Sequence, residues 1–369
     1  MQTLAIIGAS YLQLPLVKKA LEMGIHTLCF AWEDGAVCKG VADEFYPISI
    51  VEKEQILQVC MEKQIDGICT IASDVAAPTV AYIAERLGLV GNSYEVALRA
   101  SNKYQMRNAF VRAGIPCPKY QVVTSLNEIR DDYEFPLIVK PTDRSGSLGI
   151  AKVTRYDDLL TAVENALGYS FKHEAIIEEF IEGREISVEF ISYHGRHFPL
   201  QITDKVTTES PHFVELEHHQ PANLSQEQYK AIFNLTERAL EALGITNGAS
   251  HSEYRITAEG KVIVMEIGAR MGGDFIGSDL VFLSTGYDFL RGVIDVALGR
   301  FEKPLFGIPL FSGVYFLCEE TKRLRDIIVN EERPQIVRAE ITDNALRRVK
   351  CSADRSGYII YQDNKKLVL

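Results

Sequence analysis

The chain has 369 residues, of which 47% are hydrophobic and 24% charged. That is more than one ordinary core of about 100–200 residues, so two or three packed units are expected. With 39 basic against 50 acidic residues and a net charge of −11, the chain as a whole attracts neither nucleic acid nor anionic lipid, and any anionic ligand must be held by a local cationic cluster.

The apolar runs are short and broken, well below the roughly 20 residues of a membrane helix. The start, "MQTLAIIGAS", has no basic region and runs straight into a strand pattern, which argues for a cytoplasmic protein without a signal peptide. Cysteines stand at 29, 38, 60, 69, 117, 318 and 351. No pair is spaced CxxC and the count is odd, which argues against zinc and against a disulfide framework.

Residues 1–95 alternate strand and helix: "TLAIIGA", "LPLVKKALEMG", "HTLCFA", "KEQILQVCMEKQ", "IDGICTI" and "APTVAYIAERLG". Such alternation builds a parallel sheet. The first turn, "GASYLQLP", lacks GxGxxG spacing, so a dinucleotide site is poorly supported and a packing domain of Rossmann-like form is expected. Residues 96–172 form a second unit. "SYEVALRASNKYQMRNAFVRAG" reads as an amphipathic helical stretch carrying Lys103, and "PLIVKPTDRSGSLGI" as a strand ending in Lys140 before a Gly/Ser loop. That loop is either a mobile hairpin or a phosphate grip: Gly146 and Gly149 let backbone N–H groups approach an anion, and Ser145 and Ser147 add hydroxyls.

Residues 173–300 form a third unit. "AIIEEFIEGREISVE" sets Glu178, Glu179 and Glu185 around a strand end and a glycine. A helix follows, capped by Ser225 and Gln228 and stopped by Gly244. The strands of "ASHSEYRITAEGKVIVMEIGAR" then pair across a tight turn. Placing residues 259–260 in a two-residue loop sets Glu253 directly opposite Glu266. His251, Arg255, Val264, Gly268 and Arg270 then share their face, while Tyr254, Ile256, Ile263, Met265 and Ile267 form a core face. Like charges opposite one another need compensation. Either a hard divalent cation supplies it, or Arg255 and Arg270 do. The tail, 301–369, reads as β-rich.

Lysine, lysine with glycine loop, acidic strand end and carboxylate hairpin with arginine follow one another in this order. The pattern resembles the ATP-grasp superfamily of carboxylate–amine ligases over nearly the whole chain. The resemblance implies an α/β and α+β fold. A Rossmann-like domain at 1–95 would precede a two-lobed ATP-grasp fold, with the small lobe at 96–172 and the large lobe at 173–300. A C-terminal β-rich subdomain at 301–369 would pack on the large lobe.

It further implies that Lys103 and Lys140 hold the phosphates of ATP under a loop of Ser145, Gly146, Ser147 and Gly149. Glu178 would accept from the adenine amino group, the backbone of Glu179, Phe180 and Ile181 would read the purine edge, and Glu185 would bind the ribose. Glu253 and Glu266 would carry Mg²⁺ or Mn²⁺. The family's asparagine two residues after the second carboxylate is here Gly268, so water or a bidentate Glu266 would complete the shell.

"E-I-x-x-R-x-G-G" resembles the amino-acid and dipeptide ligase branch. There Arg270 would stabilise the transferred phosphoryl group and Gly272 and Gly273 would approach substrate. Lys205 would point at phosphate or carboxylate, with His212, Glu215 and His218 near the substrate. The implied reaction activates a small carboxylate as an acyl phosphate and transfers the acyl group to an amine. No nucleic acid or membrane takes part, and folds of this kind often form homodimers. Carbamoyl-phosphate-synthase-like, biotin-carboxylase-like and purine-pathway enzymes share the pattern. A nicotinamide-dependent oxidoreductase and a silent ATP-binding protein are the readings from other classes.

Overall fold

The computed structural model describes residues 1–144, 148–208, 212–330 and 332–369. Ser145, Gly146 and Ser147 of the expected phosphate loop therefore lie outside the described residues.

Three sheets organise the chain. β1 (Thr3–Ile7), β2 (His26–Phe30), β3 (Glu44–Tyr46) and β4 (Gly67–Cys69) form a parallel sheet of order β3-β2-β1-β4. It is packed by α1 (Leu14–Glu22), α2 (Lys53–Glu62) and α3 (Ala77–Leu87). The strand order reverses between β1 and β4, and ligands of open α/β sheets collect beyond the carboxyl ends at such a point. At this point Gln13 turns back over the first loop. Its Oε1 accepts from Ser10 N (3.1 Å) and Oγ (2.8 Å), and its Nε2 donates to Ile71 O at 2.7 Å. A side chain thus fills the start of α1, where a dinucleotide pyrophosphate would need open N–H groups.

The expected single helical stretch is two helices, α4 (Tyr94–Ser101) and α5 (Lys103–Arg112). Asn102 breaks them in an extended conformation, and its side chain accepts from Gln105 N. This is the ordinary competition of a short amide side chain with helical backbone. The break makes Lys103 the first residue of a new helix and turns it inward.

β5 (Tyr120–Val123), β6 (Leu137–Pro141), β7 (Ala151–Val153) and β8 (Ala175–Glu179) form the small lobe's sheet, of order β5-β8-β6-β7, backed by α6 (Tyr156–Tyr169), so this lobe runs past the expected boundary at 172: β8 supplies its central pairing. The third sheet has eight strands: β9 (Arg184–Tyr193), β10 (Arg196–Thr207), β11 (Glu215–Gln220), β12 (Gly248–Ile256), β13 (Val262–Gly268), β14 (Phe311–Leu317), β15 (Ile336–Ile341) and β16 (Gly357–Asp363). Their order is β13-β12-β9-β10-β11-β14-β16-β15. The C-terminal strands meet the large lobe by extending its sheet, because the outer edge of β11 pairs with β14. α7 (Gln226–Leu243) covers one face, with the expected capping box at Ser225 and Gln228 and a left-handed stop at Gly244.

The β12–β13 hairpin pairs Glu253 with Glu266 and His251 with Gly268, as expected. The route to that register differs. The turn is a three-residue loop, closed by Thr257 N to Lys261 O at 2.9 Å, with Gly260 left-handed at φ 78°. That loop alone would set Glu253 against Met265. A register shift between Glu253 and Tyr254 absorbs Met265 and restores the carboxylate pair. The bulge also exchanges the faces below it. Val264, expected beside the carboxylates, is fully buried in the core with Tyr254, Ile256 and Ile267, while Ile263 and Met265 are only partly buried.

Candidate active site

α5 and β8 build one wall of the cleft. Lys140, one residue before the end of β6, pairs with Ile176, two residues from Glu178 on the same face of β8, and its Nζ lies 2.7 Å from Glu178 Oε2. Arg107 Nε donates to the other oxygen at 2.7 Å, and its Nη2 donates to Met265 O at 2.7 Å. Burial pushes the Glu178 carboxyl up, but the Arg107 and Lys140 charges outweigh it and hold the group at about 2. Lys140 is displaced the other way. Burial lowers its pKa, and the neighbouring Arg107 and Lys103 charges add to that against the pull of Glu178. Two cations thus share one carboxylate.

Arg107 was not singled out by sequence reasoning. The signal was there: Lys103 and Arg107 stand four apart on one face of α5, among buried Met106 and Phe110. Lys103 Nζ donates to Arg144 O at 2.7 Å and to Glu266 Oε1 at 3.3 Å, so it sits on the seam between the lobes.

The acidic strand end continues this wall. Glu179 Oε1 accepts from Lys119 N at 2.8 Å. The Glu179 and Phe180 N–H groups donate to the carbonyls of Lys119 and Pro136, and Ile181 O accepts from Arg255. The Phe180 ring lies under Lys152 Nζ at 3.8 Å. Gly149 is left-handed at φ 72°, and a Cβ there would collide with Tyr169 and Pro141.

The opposite wall is the large sheet. Lys205 on β10 is buried and meets three carboxylates: Glu253 at 2.7 Å, Glu185 at 3.3 Å and Glu215 at 3.3 Å. Burial disfavours its charge, but the three carboxylates outweigh this and raise its pKa well above the ordinary lysine value. Arg255 joins Glu185 at 3.2 Å. His251 is clamped by buried Glu189, whose other oxygen accepts from Gly272 N at 3.0 Å. Burial opposes the imidazolium, yet Glu189 and then Glu253 lift its pKa to about 9.

Glu253 and Glu266 keep 31% and 30% of their side chains exposed. They face a cavity of about 220 Å³ that also holds Asp74, Lys103, Gly268 and Arg270. Among the described residues no group of three or more His, Cys, Asp or Glu side chains forms a metal cage. Two opposed hard carboxylates on an open cavity nevertheless suit Mg²⁺, which commonly takes one or two protein carboxylates and completes its shell with water and phosphate oxygens.

Gly268, where a third ligand was sought, has its missing side chain replaced from another sheet. A Cβ there would collide with Oδ1 of Asp74, from the loop after β4. Asp74 holds Arg270 through Nη2 at 2.7 Å. Sequence reasoning missed Asp74, although its place beyond the carboxyl end of a parallel strand was a usable signal.

His218 and His219 point to opposite faces of β11, as strand alternation requires. His219 contacts Glu217 and the Tyr361 hydroxyl, while His218 lies opposite Lys205 and packs edge-on against Phe316. His212 is exposed and directly follows residues 209–211, which lie outside the described residues. Gly273 approaches the N-terminal sheet, where a Cβ would stand 3.2 Å from that of Ala72.

Residues 133–279 match the family model of the ATP-grasp domain. The alanine–anticapsin ligase of Bacillus subtilis (strain 168) is 32% identical over 245 residues, 60% of this chain and 51% of that protein. A D-alanine–D-alanine ligase of Geobacillus thermodenitrificans is 30% identical over 215 residues, covering 53% of this chain and 57% of the relative. The chain thus spans about half the length of these curated relatives. The crystal structure of an L-amino acid ligase from Bacillus licheniformis superposes with a TM-score of 0.81 at 25% identity, over 99% of this chain and 94% of that one. Among the described residues no helix is long and apolar enough to cross a membrane.

Proposed function

We propose that the chain is an ATP-grasp protein and acts as an ATP-dependent ligase joining a small carboxylic acid to an amine, with ADP and phosphate as products. The observation that carries this reading is the opposed charge of the two walls. On one, Lys140 and Arg107 share a single carboxylate. On the other, three carboxylates crowd one lysine beside Glu266. A polyanion with a bound dication is the ligand that complements both.

Lys140 and Lys103 would hold the phosphates. The Ile181 N–H, next to two committed backbone donors, would meet the purine edge with Glu178 nearby, and Glu185 would take the ribose. Mg²⁺ at Glu253 and Glu266 would screen the charge of the phosphoryl oxygens. Lys205 neutralises Glu253 in the free protein and would be released toward substrate as that charge is shared.

In the reaction a carboxylate oxygen attacks the γ-phosphorus and the bond to ADP breaks. The amine then attacks the acyl carbon, and phosphate leaves with the electron pair of the C–O bond. Arg270, aimed into the cavity by Asp74, would stabilise the charge on the transferring group. The chain's own contribution is positioning and charge complementarity.

The test is phosphate release from ATP and Mg²⁺ with a panel of amino acids and small acids. Release that requires both an acid and an amine is expected. ATP binding with no acid-dependent release would replace this reading with that of a nucleotide-binding protein.

A further inference from the structure

Arg107, on α5, carries a charge that the reading above leaves without a task. It is 0% exposed, whereas the Lys140 side chain keeps 9% of its surface open. Lys140 can therefore meet a ligand directly, and Arg107 cannot. Both meet Glu178, which is itself buried: Arg107 Nε donates to Oε1 and Lys140 Nζ lies on Oε2, each at 2.7 Å. Arg107 Nη2 donates to Met265 O, and among the described residues Nη1 has no partner. Glu178 is thus the one carboxylate that Arg107 meets among those residues.

The three side chains carry two positive charges and one negative. Register brings the strand members together: Lys140 pairs with Ile176 and Ile138 with Glu178, so all four stand on one face of the small-lobe sheet. Arg107 reaches the carboxylate from a helix, beside buried Met106, and its bond to β13 fixes it there. Removing one partner of a buried ion pair leaves an uncompensated charge, which is costly. With a single cation, Glu178 would hold Lys140 back from any ligand. With two, one cation can leave and the carboxylate stays paired. The shared carboxylate also holds Lys140 weakly: burial, then Arg107 and Lys103, lower its pKa against the pull of Glu178.

We propose that Arg107 is a positioning residue for nucleotide binding: it keeps Glu178 paired while Lys140 turns from that carboxylate to a phosphate oxygen. Arg107 sets the cost of that turn without touching the nucleotide. This rests on the reading of Lys140 as a phosphate anchor and adds the residue that frees it. A staple that merely tied α5 to β8 and β13 would use the same hydrogen bonds, but its effect on phosphate binding would not depend on the charge of Glu178.

The experiment measures ADP and adenosine binding to the full chain by calorimetry. Arg107→Met is expected to weaken ADP binding about tenfold or more, since Glu178 then has Lys140 alone. Adenosine has no phosphate to draw Lys140 away, so its affinity should change little. Adding Glu178→Gln to that variant removes the charge that retains Lys140. The double variant is expected to bind ADP within about threefold of wild type, as two changes in one network should couple. Unchanged ADP affinity in Arg107→Met overturns the inference. So does an equal loss for adenosine, or a double variant no better than Arg107→Met; either marks a structural staple. Should Arg107→Met not fold, Arg107→Lys decides, because it keeps the charge without the planar guanidinium. ADP affinity kept within about threefold then supports the inference, and a loss of about tenfold overturns it. A wild type that binds neither ADP nor adenosine removes the nucleotide reading itself, and this inference with it.

Discussion

Lys140 and Lys205 are both buried lysines that face one cleft, and their surroundings drive them in opposite directions. Lys140 shares Glu178 with Arg107, and burial and two neighbouring cations lower its pKa. Lys205 lies among Glu185, Glu215 and Glu253, which raise its pKa despite equal burial. The ratio of carboxylates to cations, not depth, decides the sign. The wall of Lys140 is short of negative charge and invites an anion. The wall of Lys205 has negative charge to spare and invites a cation.

Mutations should separate the two walls. The largest effect is expected at the cation wall. Glu266→Gln should reduce turnover about 10³-fold with the unfolding transition retained, since a transition-state charge loses its screen. A variant with near-normal phosphate release would break the assignment.

Stability should come next. Lys205→Met removes the cation common to Glu185, Glu215 and Glu253; Arg255 still reaches Glu185 and His251 still reaches Glu253, and the mutual repulsion left behind is expected to cost about 3 kcal/mol in denaturant unfolding. Lys140→Met leaves Glu178 its Arg107 partner and should cost about 1 kcal/mol. Equal losses would mean that the two walls do not differ as described.

Nucleotide affinity should reverse that order. Lys140→Met is expected to weaken ADP binding about tenfold by calorimetry. Because the Lys140 pKa is lowered, its charge is complete at low pH and is lost as pH rises. Affinity should therefore decline toward alkaline pH in wild type and decline less in Lys140→Arg. A flat wild-type profile would count against Lys140 as the anchor.

The smallest expected effect concerns His251. Its folded pKa of about 9 lies above the ordinary 6.5. The stability it contributes is thus fully present below about pH 6.5 and lost as pH rises through about 9. Glu189→Gln should flatten that slope in thermal unfolding. An unaltered slope would place the titration elsewhere.

Much of the site was legible because it is carried by strands. Alternation and a tight turn predicted Glu253 opposite Glu266, although the two-residue turn was wrong and a bulge at Met265 compensated. That agreement owed something to two cancelling errors, and the misplaced Val264 shows the cost. Lys140, Glu178 and Glu185 drew notice because they stand at strand ends, while the ligand roles expected of them came from the family resemblance. Arg107 was missed because a charge on a helix reads as solvated unless its place among the apolar residues of the same face is weighed.

By itself the sequence determined the order of elements, the caps of α7, the parallel amino-terminal sheet and the chemistry of the two facing glutamates. These follow from periodicity, turn residues and side-chain type, which act over a few residues. Only the tertiary structure decided that Asp74 fills the space left by Gly268 and that Arg107 shares Glu178 with Lys140. It alone set the opposite charge balance of the two lysines. These partners lie far apart along the chain, and whether a charge is shared or crowded depends on what three sheets bring together in space.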